Sequence, residues 1–139
     1  MTTPDEGLDK AALLLMTLGA DAAAGVLRLV EQGKVALDDP LTKYVPGYPN
    51  GDAVSVRQLL SMTSGVQWNE DYEDPNADVA KFNNAEPEDG LDATVSYMRK
   101  LGRAHPPGET WNYSTGETNL IGVLVSEATG KNVADYLSE

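Results

Sequence analysis

The sequence predicts a mainly α fold, and three observations predict it. Apolar residues recur at intervals of three and four nearly everywhere, alternating strands are scarce, and Asp, Ser or Asn precedes most of the apolar runs as an expected N-cap. The chain has 139 residues, suited to one compact domain. No repeat and no low-complexity tract interrupts it.

The elements follow in order. Leu8, Ala11, Ala12, Leu15 and Leu18 share one helical face over 8–18, and Gly19 stands where a left-handed cap would end it. Asp21 is the expected N-cap of a second helix over 22–32, apolar at Val26, Leu27, Leu29 and Val30 and closed by Gly33. Together they predict a helical hairpin with a very short turn. "VALDDPLTKYVPGYPNGD" reads as loop, punctuated by Pro40, Pro46, Pro49 and "NGD". Ser55 caps a short helix, "VRQLLSM", whose Val56, Leu59 and Leu60 face inward and which "TSG" at 63–65 stops. Residues 66–90 are a long polar segment without an assigned element. Asp92 caps "ATVSYMRKL", with Val95, Met98 and Leu101 on one face. The turn-rich link "GRAHPPGETWNYST" leads to a helix over 118–128, apolar at Leu120, Ile121, Leu124 and Val125 and ended by Gly130. Asn132 caps a last one, "VADYLS".

Charge and composition exclude several functions. Ten Lys and Arg against 22 Asp and Glu give a formal net charge of −12, which repels nucleic acid and anionic membranes. There is no cysteine, hence no disulfide, thiolate nucleophile or thiolate metal site. The first residues show no basic region ahead of an apolar core, and the longest apolar run, "AALLLM", is far too short to span a bilayer. The expectation is a soluble, cytoplasmic chain that engages neither membrane nor nucleic acid.

"LVEQGKVALDDPLTKYVPGYP", "VSVRQLLSMTSGV" and "PPGETWNYSTGETNLIGVLVSEATGKNVADYL" resemble three ordered blocks of the penicillin-binding-protein-like serine hydrolases, which include class C β-lactamases and related esterases and amide hydrolases. The resemblance covers about residues 29–139. It implies the helical subdomain of the β-lactamase/penicillin-binding-protein-like fold without its β-sheet domain. In that family a helix opens with Ser-x-x-Lys, whose serine accepts the acyl group while the lysine helps deprotonate it. A Tyr-x-Asn-like motif shares the proton transfers, and a later Lys-Thr-Gly-like strand lines the site. "YST" matches the tyrosine motif, so Tyr113 takes the tyrosine position and Thr115 the third, where asparagine is usual.

The serine motif does not match. Counting back about seventeen residues from Gly33, where the family carries its serine, lands on Met16, and the lysine position falls on Gly19. Thr17, Ser61 and Ser64 have no lysine three residues on. Tyr113 and Thr115 are therefore expected to be vestigial, with no cofactor and no metal.

"GLDKAALLLMTLGADAAAGVLRLV", residues 7–30, resembles the opening helical hairpin of the flagellar motor-switch protein FliG. That likeness implies a surface for a membrane-ring partner. The two resemblances meet near Val26–Val30, which points to an engineered chimera: a single helical domain over 1–139, with a FliG-like hairpin over 7–30 and a serine-hydrolase-like subdomain over 30–139.

Other candidates read as structural. Ser61 and Ser64 fit a helix end with a Ser/Thr turn, and His105, the single histidine, fits a loop. Asp71, Glu73, Asp74 and Asp78 lack the spacing of a calcium loop. Trp68 and Trp111 are expected to expose apolar area where a sheet domain would cover them, so the chain should self-associate, most simply as a two-fold dimer. The expected function is a catalytically incompetent helical module. The alternatives are a remodelled esterase using Tyr113 with Ser114 or Thr115, and a partner-binding module using the hairpin.

Overall fold

Alanines at 20, 22, 23 and 24 favour helix more strongly than any other residue type, and helix α1 occupies residues 20–31 of the computed structural model, which describes residues 20–48 and 54–138. The predicted helix over 8–18, its Gly19 cap and the positions Met16 and Thr17 lie outside the described residues. Asp21 is not an N-cap: Ala20 before it is already helical. Ala22, Val26 and Leu29 of α1 are buried, whereas Leu27, apolar like them, is 51% exposed. Gly33 ends the helix at φ +73°. Its amide donates to the Val30 carbonyl and that of Lys34 to the Leu29 carbonyl, the paired bonds of a Schellman cap.

The segment read as loop nevertheless supplies core. Val35, Leu41, Val45, Tyr48 and Val54 are all buried around a 3-10 turn at Leu41–Lys43. Helix α2, Val56–Leu60, starts as the sequence predicts, with Ser55 and Gln58 forming a reciprocal capping box.

The polar segment over 66–90 does contain an element: α3, Asp78–Phe82, has Ala77 at its N-cap and no side-chain cap. Its Val79 is buried and its Phe82 packs on the core. The acidic side chains ahead of it bond backbone amides. Asn69 and Asp71 accept from Asp71 N and Glu73 N, Asp74 accepts from Asn76 N, and Asp78 accepts from Asn69 N and the Tyr97 hydroxyl. Among the described residues no group of three His, Cys, Asp or Glu stands close enough to hold a metal ion.

Helix α4, Ala93–Met98, is capped by Asp92 and buries Val95 and Met98. Helix α5, Thr115–Thr129, begins three residues before the predicted start because Ser114 is its N-cap, accepting from the Glu117 amide. It packs against α2, α3, α4 and α6 and so forms the spine of the molecule. Its Leu120 and Leu124 have no exposed surface, each contributing about 2 kcal/mol by burial. Gly130 closes it in the left-handed conformation.

Helix α6, Val133–Leu137, is capped by Asn132 as predicted. It returns to α1. The Arg28 guanidinium donates to the Tyr136 carbonyl at 3.0 Å and lies over its ring, and the Tyr136 hydroxyl donates to Gln32 at 3.0 Å.

The described residues contain isolated bridges but no strand. The molecule is mainly helical, as the sequence predicts. Among the described residues no helix is long and apolar enough to cross a membrane.

Candidate active site

Tyr113 sits just ahead of the Ser114 cap, so the first turn of α5 fixes where its ring emerges. It is partly buried, and its hydroxyl accepts from Thr118 Oγ1 at 3.5 Å. The ring borders a cavity of about 240 Å3, which Ala20 and Ala23 of α1 wall on one side and Leu60, Met62, Trp111 and Ile121 on others. Among the described residues, Thr118 supplies the second hydroxyl in that lining. Sequence reasoning passed it over, since its only signal was its position five residues after Tyr113.

Thr115 does not share this setting. It is buried, its amide donates to Glu70 Oε1 at 2.8 Å and its hydroxyl to Glu70 Oε2 at 2.5 Å. Glu70 also accepts from Trp68 Nε1 at 2.6 Å. A carboxylate on the first amide of a helix satisfies an orphan donor and complements the positive end of the helix. Thr115 is therefore a fastener between the acidic loop and α5. The first and third residues of the motif therefore meet different parts of the molecule.

The segment that delivers Tyr113 is held by a second one. Gly108 N donates to Thr63 O at 2.6 Å, Asn112 N to Met62 O at 2.9 Å, Ala104 N to Gly65 O at 2.8 Å, and Gln67 N to Gly102 O at 2.8 Å. The Arg103 guanidinium adds a bond to the Ser64 carbonyl at 2.9 Å. Segments 62–67 and 102–112 thus run side by side under the cavity.

Ser61 and Ser64, read together as a Ser/Thr turn, differ. Ser61 is exposed, caps the end of α2 and donates to Arg57 O. Ser64 is buried and donates to Glu117 Oε1 at 2.8 Å, across 53 positions of sequence. His105 is an exposed loop residue. Trp111 is 67% exposed, as expected, but Trp68 is only 7% exposed. It lies edge-on to Phe82 and Tyr97, with centroids 5.8 and 6.1 Å away, which is why the predicted exposure does not occur.

The chain belongs to the beta-lactamase family, whose model matches residues 21–139. Among curated proteins it is similar to PbpX of Bacillus subtilis, named as a candidate penicillin-binding protein, at 25% identity over 115 residues, covering 83% of this chain and 26% of PbpX. It is also similar to protein flp of Staphylococcus aureus strain NCTC 8325, 29% identical over 118 residues, covering 81% of this chain and 22% of flp. The chain spans about a quarter of the length of these relatives. Among solved structures, a D-stereospecific amidohydrolase from Streptomyces superposes with a TM-score of 0.68 at 26% identity, over 87% of this chain and 38% of that one. An octameric penicillin-binding protein homologue from Pyrococcus abyssi gives 0.62 at 26% identity, over 87% and 28%.

Proposed function

We propose that this chain is the helical module of a penicillin-binding-protein-like serine hydrolase that keeps the tyrosine wall of an acyl-transfer site and carries no acyl-accepting serine of its own. The observation behind this is the cavity beside Tyr113. Among the described residues its α1 wall is made of the methyl groups of Ala20 and Ala23, and Thr118 is the one aliphatic hydroxyl in the lining. The family's nucleophile and lysine positions correspond in sequence to Met16 and Gly19, neither of which can attack or take a proton. Removing the serine from such a machinery typically lowers turnover by about a millionfold. Tyr113 is then a vestigial proton-transfer group, and Thr115 a structural residue. The amide-hydrolysing relative favours an amide as the parent enzyme's substrate class.

The direct test is intact mass after incubation with a fluorophosphonate, with a β-lactam in parallel. The expected result is no adduct. One stoichiometric adduct on a serine would overturn the proposal and favour the remodelled-esterase reading, in which ester cleavage should vanish in Tyr113→Phe.

The chimeric reading belongs with this proposal in altered form. The family match begins at residue 21, ahead of the Val26–Val30 junction inferred from the sequence. A crossover from a FliG-like segment would therefore lie before residue 21. One natural gene encoding all 139 residues would refute it.

Self-association is the second proposal, favoured by the exposed Leu27 and Trp111 and by the octameric state of the Pyrococcus homologue. Light scattering at micromolar concentration should give at least twice the monomer mass. A monomer there would overturn it.

A further inference from the structure

Glu117 lies in the first turn of α5, is 2% exposed, and meets a single side-chain donor, Ser64 Oγ, at 2.8 Å. Its second carboxyl oxygen is buried and has no hydrogen-bond partner among the described residues. A carboxylate in that position is costly, whereas a neutral carboxyl is tolerated. Ser64 in turn accepts from the Val66 amide at 3.2 Å, so the carboxyl is bonded through one hydroxyl to the backbone of segment 62–67. That segment holds 102–112, which carries Trp111 and leads into Tyr113.

We propose that Glu117 and Ser64 form a proton-operated latch, closed when the Glu117 carboxyl is neutral, that clamps segment 62–67, and through it the loop bearing Trp111 and Tyr113, onto the head of α5. The inference needs no catalytic role for any residue.

The charged and titratable groups on the elements around Glu117 are few. Segment 62–67 has none. Helix α2 offers Arg57, paired with Asp38. Helix α3 offers Lys81 and Asp78, and α4 offers Tyr97, whose hydroxyl bonds Asp78. Segment 102–112 offers Arg103, bonded to the Ser64 carbonyl, with His105 and Glu109, both exposed. Helix α6 offers Asp135, exposed, and Tyr136, whose hydroxyl donates to Gln32, while Glu70 sits on the Thr115 amide. None of them sets the behaviour of Glu117: burial pushes its carboxyl up to about 7, opposed only by the Ser64 hydrogen bond.

The sign follows. The folded state holds this proton more tightly than an opened state, where the carboxyl has its ordinary value of 4.5. The latch is therefore strongest below about pH 4.5, weakens as pH rises toward about 7, and changes little beyond.

The test is amide hydrogen exchange at Gly108 and Asn112, whose amides donate to segment 62–67, on the full chain between pH 5 and 8. Corrected for intrinsic exchange, protection should fall by about fortyfold between pH 5 and 7 and by less than about twofold more up to pH 8. Glu117→Gln, which keeps an acceptor for Ser64 and cannot ionise, should show no such fall. Equal pH dependence in the two proteins would overturn the latch. If Glu117→Gln does not fold, the carboxyl carbon shift of Glu117 in the unaltered protein decides: a midpoint near neutrality supports the latch, and one near 4.5 overturns it.

Discussion

Replacing Gly65 by alanine should destabilise the protein by about 4 kcal/mol or more, enough to unfold a typical small domain. Gly65 adopts φ +83°, a left-handed conformation that penalises any Cβ. An added methyl would also run into the His105 carbonyl oxygen and sit 2.8 Å from its carbon. That obstacle is backbone, fixed by the Ala104 and His105 amides, both of which donate to the Gly65 carbonyl. No rotamer change can relieve it. Gly33 and Gly130 supply the control, since both have φ +73° with nothing within 4 Å of an added Cβ. Alanine there should cost only about 1–2 kcal/mol, the conformational part alone. Urea denaturation of the three variants separates the two contributions, and a Gly65→Ala midpoint equal to that of Gly130→Ala would show that 62–67 and 102–112 separate freely.

Trp68→Ala should cost about 4 kcal/mol. The indole is buried, edge-on to Phe82 and Tyr97, and those two rings pack edge-on to each other at 5.7 Å. Its removal leaves a cavity among three elements, because the loop before α3, α3 itself and α4 each contribute a ring. It also takes one donor from Glu70, which is left to the Thr115 amide and hydroxyl. Trp68→Phe keeps most of the packing and loses the hydrogen bond. Its cost should be less than half that of Trp68→Ala, and equal costs by thermal or chemical denaturation would locate the stability in the Glu70 contact instead.

These two predictions concern features that sequence reasoning reached unequally. Helices α2, α4 and α6 were legible because each announces itself locally: Ser55, Asp92 and Asn132 all accept from amides inside their own first turn. The family was legible for the same reason, since its blocks are contiguous. Helix α3 was not, because Ala77 provides no side-chain cap and only Val79 and Phe82 mark its apolar side. The start of α5 was missed because Thr115, Gly116 and Glu117, ahead of Thr118, are polar or poor helix formers. They are buried all the same, by contacts with residues far away in sequence. Gly116 is the clearest case: a Cβ there would strike the Met98 sulfur and come within 2.9 Å of the Trp68 ring. The burial of Trp68 and the Ser64–Glu117 bond are equally non-local. In the candidate site, Tyr113 was found by its motif, whereas the partners that define its setting, Thr118 and α1, emerge only when α5 is placed against α1.

The bond between Thr115 and Glu70 bears on how such a protein can change over generations. The threonine holds the head of α5 to the acidic loop whether or not any acyl group ever reaches Tyr113. Selection for a folded chain is then sufficient to retain it. A side chain at the third position of the tyrosine motif can thus be kept for the scaffold alone, and its presence testifies to folding before it testifies to chemistry.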